Sequence, residues 1–322
     1  MAVILYLVIP CYNEQEVLRE TTKRLHDKLG RMKTAGLITE ESRVVYVNDG
    51  SRDATWQLIE EIHRENPLFT GISLAHNRGH QSALLAGLLT VKDYADVVIS
   101  MDADLQDDIE VLDKMVEEYN HGNEIVYGVR SSRKKDSIFK KFTAEAFYHI
   151  MNVMGVEIVF NHADYRLTSK KVLESLSGFR EVNLFLRGIF PSIGYKHTTV
   201  LYERNERFAG ESKYPLKKML SFAWEGITSF TVSPLRLIAG LGILISFVSL
   251  CAFIWSIVEK LIGYTVAGWT SILCSIWLLG GLQLFCLGII GAYIGKIYEE
   301  VKQRPRFILE KNLLEEEKEE DK

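Results

Sequence analysis

Two carboxylates one residue apart, Asp102 and Asp104, directly follow Asp96-Val97-Val98-Ile99-Ser100, a β-branched run that reads as a buried strand. Strand ends are where α/β sheets carry their chemistry. With Gln106 two positions further on, Met101-Asp102-Ala103-Asp104-Leu105-Gln106 offers hard oxygen ligands on one side of a turn. That is the donor set Mg²⁺ or Mn²⁺ takes when it is shared with substrate phosphates. The substrate implied is a diphosphate. An isolated Asp-x-Asp is also an ordinary solvated turn, so the reading depends on what else converges on this loop.

The positioning elements lie in the first half of the chain. Short β-branched runs alternate with helical stretches: Val3 to Ile9 then Glu14 to Met32, Arg43 to Val47 then Ala54 to Glu65, and Thr70 to Leu74 then His80 to Val91. Val97 to Ser100, Ile109 to Tyr119 and Glu124 to Tyr127 continue the alternation. Units of this kind predict an α/β domain with a mostly parallel sheet covered by helices. Right-handed crossovers put the C-terminal strand ends on one edge. The loops Cys11 to Glu14, Asn48 to Ser51, His76 to His80, Asp102 to Asp107 and Gly128 to Arg133 therefore form the expected active site. Beyond it the spacing predicts a helix over Ile138 to Met154, a short strand around Tyr165 to Leu167 and another near His197 to Glu203. Asp107 and Asp108 read as residues favoured at a helix N-terminus by the dipole. His76, His80, His149, His162 and His197 show no triad or zinc spacing and read as structural.

The apolar fraction of 47% is ordinary, but its distribution is not. Leu235 to Val258 holds one charge, Arg236, and Thr270 to Ile294 holds none. Each exceeds the roughly 20 residues that cross a hydrocarbon core, which predicts a transmembrane hairpin within 233–299; two buried core helices are the soluble alternative. Lys213, Lys217, Lys218 and Arg236 precede the first span and Lys296, Lys302, Arg304 and Arg306 follow the second, while the loop Glu259 to Trp269 holds one Glu and one Lys. The positive-inside bias then places residues 1–213 and both termini in the cytoplasm. Residues 214–232, aromatic and aliphatic with Lys217 and Lys218, are expected to form an amphipathic helix in the membrane interface. Ala2 to Pro10 is too short for a signal h-region and lacks a basic n-region, so it reads as a strand. Cys11, Cys251, Cys274 and Cys286 have no metal-ligand spacing, which suits a reduced, cytosol-facing protein. The net charge is −4, and Glu310 to Lys322 alone carries seven acidic residues against three lysines. The tail, 300–322, is expected to be cytosolic, with its acidic end solvated and disordered. No basic surplus points to nucleic acid.

Val8-Ile9-Pro10-Cys11-Tyr12-Asn13-Glu14, Val47-Asn48-Asp49-Gly50-Ser51, Asp102-Ala103-Asp104 and Gly210-Glu211-Ser212-Lys213, in this order and ahead of two apolar spans, resemble the polyprenyl-phosphate glycosyltransferases of glycosyltransferase family 2. Bactoprenol glucosyltransferases and dolichol-phosphate mannose synthases are the members most alike. The resemblance implies a GT-A type fold and a nucleotide-sugar donor. On the residues themselves, Asp49 can accept from a uracil N–H or a ribose hydroxyl and Gly50 lets the chain turn closely; an Asx-turn or a cap for the helix near Arg52 is the other role open to Asp49. By resemblance Pro10, Tyr12 and Glu14 form the first nucleotide loop, Asp102 faces ribose and metal, Asp104 ligates the metal, and Gln106 adds a ligand or a water-mediated contact. Arg130, Lys213 and Arg207 resemble acceptor-phosphate contacts; Lys140 and Lys141 match only loosely and read as solvated charges. Asp164 resembles the position where members with hydroxyl acceptors keep a base. A phosphate acceptor, with a second pKa of about 6, scarcely needs one, so Asp164 is expected, with Asp104, among the catalytic residues, acting by orientation or electrostatics near the acceptor; an ion pair with Arg166 or Arg187 is the structural alternative.

The reaction expected is an inverting, metal-dependent transfer of one hexose, from UDP-glucose, to undecaprenyl phosphate at the cytoplasmic membrane face. UDP-GlcNAc, UDP-galactose and GDP-mannose are alternative donors, and an inactive membrane-anchored scaffold that binds sugar nucleotides is the alternative of another class. A processive polysaccharide synthase is disfavoured because its Gln-x-x-Arg-Trp motif and additional spans are missing. Gly291-Ala292-Tyr293-Ile294-Gly295 has the small-residue spacing that lets helices approach in lipid. It serves either to seam the hairpin or to join copies, and the resemblance favours a homotetramer.

Overall fold

The computed structural model describes residues 2–131, 162–182, 184–203, 233–262 and 268–315. The helix expected over 138–154, the interface helix over 214–232, and Lys140, Lys141, Arg207 and Lys213 lie outside the described residues.

Strands β1 (Leu5–Cys11), β2 (Arg43–Asn48), β3 (Phe69–Leu74) and β4 (Val97–Ser100) are buried along their length apart from half-buried Arg43. Continuous apolar runs of this kind belong to parallel strands covered on both faces. With β5 (Ile125–Arg130), β6 (His162–Ser169), β7 (His197–Tyr202) and β8 (Leu309–Asn312) they form one sheet in the order β7-β5-β6-β4-β1-β2-β3-β8. The pairs β1–β2, β1–β4, β2–β3 and β5–β7 are parallel, whereas β6 runs antiparallel between β4 and β5. The register sets Cys11 beside Asn48 and Asn48 beside Ser73, so these strands end level and their loops share one edge. Because β6 runs the other way, its beginning lies at that same edge.

Helix α1 (Leu18–Thr34) buries Leu18, Leu25, Leu29 and Met32, an i, i+7, i+11, i+14 face, against the core. Helices α2 (Thr55–Glu65) and α3 (His80–Val91) follow β2 and β3. Gly87 brings α3 close to the sheet: a Cβ there would fall 2.4 Å from Val8 Cγ1 and 2.7 Å from Val47 Cγ2. A 3₁₀ turn (Ile109–Val111) leads into α4 (Leu112–Asn120), and α5 (Lys170–Ser177) and α6 (Leu186–Ser192) follow β6. Lys28 of α1 is buried yet paired with Asp113 at 2.7 Å and Glu110 at 3.2 Å, which pins α1 to the segment after the Asp102 loop.

The chain divides into two compact units. The first is Met1–Asn152, Glu157–Pro215 and Arg304–Lys322; the second includes Leu216–Gln303 and holds α7 (Ser233–Ile262) and α8 (Trp269–Lys302). Both helices outrun the expected spans. Among the described residues one stretch, Leu279–Lys302, with mean hydropathy 1.4, meets the length and composition needed to cross a membrane.

The C-terminal segment corrects the expectation of a disordered tail. Gln303 takes a left-handed φ of 48° that ends α8, and Leu309–Asn312 then adds β8 antiparallel to β3. Leu313 and Leu314 are buried, and Lys311 pairs with Glu60 at 2.8 Å. Residues 316–322 lie outside the described residues.

Candidate active site

The first two loops are fastened to each other. The Asn13 N–H donates to Ser51 Oγ, the Arg52 N–H to Asn13 Oδ1, and the Glu14 N–H to Thr55 Oγ1. This leaves Tyr12 exposed on the loop, Glu14 half-buried, and Pro10 buried as a member of β1. Asp49 is buried, and its two carboxylate oxygens accept from the N–H groups of Arg78 at 2.7 Å and Gly79 at 2.9 Å. Burial raises its pKa against those two hydrogen bonds. The Asx-turn into α2 belongs instead to Asp53, whose Oδ1 accepts from the Thr55 N–H, while Asn48 Oδ1 accepts from the Ser51 N–H. Gly50, at φ 62°, lies where a Cβ would meet Asn77 N at 2.5 Å. The close approach that requires glycine is therefore to the third loop.

The Asp-x-Asp loop alternates. Asp102, Asp104 and Gln106 are half-exposed, while Met101, Ala103, Leu105 and Asp107 are buried. Asp104 Oδ1 accepts from the Gln106 N–H at 3.1 Å, folding the loop around Leu105, which adopts a left-handed φ of 57°. The three ligands expected from the sequence thus share one side. Among the described residues no three His, Cys, Asp or Glu side chains form a closed metal cage. Mg²⁺ is often held by one or two carboxylates plus substrate phosphates, and Asp102 with Asp104 fits that incomplete donor set. Burial and its neighbours Asp164 and Asp104 raise the Asp102 pKa, with His80 opposing.

Asp107 departs from expectation. Asp108 accepts from the Glu110 N–H and caps the 3₁₀ turn, but Asp107 is buried, with Oδ1 accepting from the Tyr202 hydroxyl at 2.5 Å. Burial first, then the charge of Asp102, pushes its pKa up to about 6. Asp107 therefore acts through a tertiary hydrogen bond and not as a surface partner of a helix dipole.

Asp164, at the start of β6, gathers the opposite wall. Its Oδ1 accepts from Arg166 Nη2 at 2.6 Å and Arg187 Nε at 3.3 Å; its Oδ2 accepts from Arg187 Nη2 at 3.1 Å and Gln81 Nε2 at 3.3 Å. Both ion pairs considered from the sequence are formed. Burial alone would raise this carboxyl, but Arg187, His80 and Arg166 outweigh it and hold it well below the usual range. Arg166 is itself buried and lies 4.3 Å over the Phe190 ring.

Against the purely structural role expected of it, His80 sets its Nε2 3.7 Å from Asp102 Oδ1 and 3.5 Å from Asp164 Oδ2. It stands between the Asp-x-Asp loop and the carboxylate of the opposite wall. Burial would lower its pKa, but the hydrogen bond to Asp164 and the charge of Asp102 raise it. Gln81, which no motif marks, links Asp164 to the Leu186 N–H at the head of α6. Its place one residue after His80, at the first turn of α3, was the only signal available. Arg130 stands at the end of β5, with its Nε donating to the Tyr202 hydroxyl at 3.2 Å.

An acidic loop facing a wall of arginines is suited to a diphosphate on one side and an anion on the other. The glycosyl transferase family 2 model matches residues 6–177, the segment that carries these loops. The chain belongs to glycosyl transferase family 2. Its relatives include the Bacillus subtilis glycosyltransferase YkoT, 52% identical over 96% of this chain and 92% of that protein. The bactoprenol glucosyl transferase of Shigella phage SfII is 39% identical over 95% of this chain and 97% of its own length. The prophage bactoprenol glucosyl transferase homolog of Escherichia coli K12 is 38% identical over 95% and 98%. As a family 2 member the protein is a glycosyltransferase with a GT-A-like α/β domain.

Proposed function

We propose that this enzyme transfers one hexose, from UDP-glucose, to undecaprenyl phosphate with inversion at C1, on the cytoplasmic face of the membrane. The observation that carries this reading is the state of Asp164. A carboxylate held ionised by two arginines and a histidine is a poor proton acceptor, which suits a nucleophile that is already an anion. A phosphate monoester, with a second pKa of about 6, is such a nucleophile. Near full-length similarity to proteins named bactoprenol glucosyl transferase supports the same acceptor and sugar.

In this reading Tyr12, Glu14, Asp49 and the end of β1 at Pro10 frame the nucleotide. Asp104 and Asp102 would hold Mg²⁺ or Mn²⁺, with Gln106 as a further or water-mediated ligand, and the ion when bound would neutralise charge on the diphosphate. Arg130, Arg207 and Lys213 align the acceptor phosphate, whose oxygen attacks C1 opposite the diphosphate. The C1–O bond to UDP breaks, its electron pair leaves on the β-phosphate oxygen, and no proton moves. From a UDP-α-sugar the product is β-linked.

Helices α7 and α8 serve as a membrane hairpin, with 214–232 in the interface and both termini cytoplasmic. In support, the chain leaves the catalytic unit at Pro215 and re-enters it at Arg304 to supply β8. An even number of crossings fits that path. Copies associate, as a tetramer, through the Gly291 and Gly295 face; among the described residues a Cβ added at either glycine meets nothing within 4 Å.

The test is transfer by the full-length protein in detergent, with undecaprenyl phosphate and labelled UDP-glucose, UDP-GlcNAc, UDP-galactose or GDP-mannose. A β-glucosyl phospholipid, read from the anomeric proton coupling, supports the proposal. Preference for another donor reassigns the sugar, and binding without transfer to any acceptor leaves the scaffold reading.

A further inference from the structure

Arg130 and Tyr202 are the last residues of β5 and β7 and are register partners in that parallel pair. The sheet therefore delivers both side chains to the functional edge together. Tyr202 is 2% exposed, and its ring stands edge-on to Tyr165 at 5.3 Å and 88°. The Tyr165 hydroxyl in turn donates to the Asp108 carbonyl at 2.9 Å. The two tyrosines form a buried wedge against the loop that carries Asp102 and Asp104.

The Tyr202 hydroxyl lies between two groups that dictate its polarity. Arginine only donates and a carboxylate only accepts. The hydroxyl must then accept from Arg130 Nε at 3.2 Å and donate to Asp107 Oδ1 at 2.5 Å. Arg130 Nη2 lies 3.9 Å from the same carboxylate oxygen. Asp107 Oδ2 is buried with no hydrogen-bond partner among the described residues, so this hydroxyl is the anchor the structure provides for that carboxylate. Arg130 keeps 27% of its side chain exposed. A guanidinium fixed through Nε has its plane set, and with it the direction of the Nη groups through which arginine takes up phosphate oxygens.

We propose that Tyr202 is a positioning residue. Its hydroxyl, fixed by Asp107, aims Arg130 at the acceptor phosphate and ties that arginine to the loop bearing Asp102 and Asp104. The direction of aim rests on the assignment of Arg130 to the acceptor; the Asp107–Tyr202–Arg130 linkage does not.

The test is steady-state kinetics of the full-length protein and of Tyr202→Phe, Arg130→Ala and the double variant, varying undecaprenyl phosphate and UDP-sugar separately. Phe keeps the ring against Tyr165 and removes the relay. Tyr202→Phe is expected to raise the acceptor KM roughly tenfold, the loss of about one hydrogen bond, with the donor KM within about twofold of wild type. Arg130→Ala is expected to raise it further, and the double variant to match Arg130→Ala alone, because partners in one network are non-additive. Asp107→Asn, which keeps an acceptor for the hydroxyl but removes the charge facing Arg130, is the second probe and should move the acceptor KM the same way. Unchanged acceptor KM in both Tyr202→Phe and Asp107→Asn, or effects that multiply in the double variant, overturns the relay. If Arg130→Ala and Tyr202→Phe instead both raise the donor KM, non-additively, the relay stands and the acceptor assignment of Arg130 falls.

Discussion

Asp164→Asn separates an orienting carboxylate from a general base. The native carboxylate is 6% exposed and meets Arg166 at 2.6 Å and Arg187 at 3.1 Å. Asn keeps the shape but removes the charge, which strands Arg166, 1% exposed, as a buried cation. Removing one partner of a buried pair costs about 3–5 kcal/mol; Arg187, 30% exposed at its side chain, adds little because water replaces its partner. Against a total stability of about 5–15 kcal/mol, this leaves the variant folded at 25 °C for any total above about 7 kcal/mol, which circular dichroism checks first. Its Tm should fall by about 6–20 °C, at roughly 2–4 °C per kcal/mol for a domain of this size. In transfer assays on the folded protein, kcat should fall about ten- to a hundredfold through misplaced neighbours. The acid limb of the rate profile should stay near the acceptor's second pKa of about 6. A loss beyond about 10⁴, the top of the general-base range, together with disappearance of that limb, refutes the orienting role. The pH dependence of stability gives an independent reading. Because the folded pKa is depressed, the contribution is complete above the unfolded value of about 3.9 and is lost as pH falls through the lower folded value. The Tm gap between wild type and variant should therefore widen as pH falls from 8 towards 6, where His80, whose pKa Asp164 raises, takes up its proton, and close only in strong acid.

Asp104→Asn should abolish transfer with little loss of Tm, since Asp104 is half-exposed and its hydrogen bond from the Gln106 N–H can be made to an amide oxygen; near-normal turnover with Mg²⁺ or Mn²⁺ would remove the metal assignment. Lys213→Ala should raise the KM for the lipid phosphate by roughly ten- to a hundredfold, the worth of one charge-assisted hydrogen bond, and equal effects on both substrates would move Lys213 to the donor. Ending the chain at Arg304 uncovers β3 and removes buried Leu313 and Leu314, a loss of about 3–6 kcal/mol. Thermal unfolding should show a markedly lower Tm for that truncation, and an unchanged Tm would mean that β8 does not hold the sheet. Gly291→Leu with Gly295→Leu should reduce the oligomer measured by light scattering in mild detergent, and an unchanged size removes that face from any interface.

Strands β1 to β5 and helices α1 to α3 were legible because burial writes itself into sequence as hydrophobicity. Leu5 to Cys11 and Val97 to Ser100 are covered on both faces and can be little else. Where burial is achieved by pairing, that signal fails. In β6, His-Ala-Asp-Tyr-Arg-Leu-Thr-Ser, the inward positions include Asp164 and Arg166, which are buried because they neutralise each other. Only Tyr165 to Leu167 looked like a strand. An edge strand needs few apolar residues, so Leu-Glu-Lys-Asn of β8 passed for acidic tail; the signal that could have found it was the apolar pair Leu313-Leu314 just beyond.

The candidate site divides along the same line. Asp102, Asp104 and Gln106 could be placed on one side of a loop because that needs only the alternation of neighbouring residues, and the observed burial alternates that way. The roles of Asp107, His80 and Gln81 depend on groups far along the chain: Tyr202 lies 95 residues from Asp107, and Asp164 lies 83 from Gln81. No local spacing encodes such pairs, since they exist only once antiparallel β6 and edge strand β7 carry Asp164 and Tyr202 to the edge built by β1 to β5. It follows that the second half of the chain builds half of the site. Its strands set an acidic loop opposite arginines held by buried partners, and the proposal of an anionic acceptor rests on that arrangement.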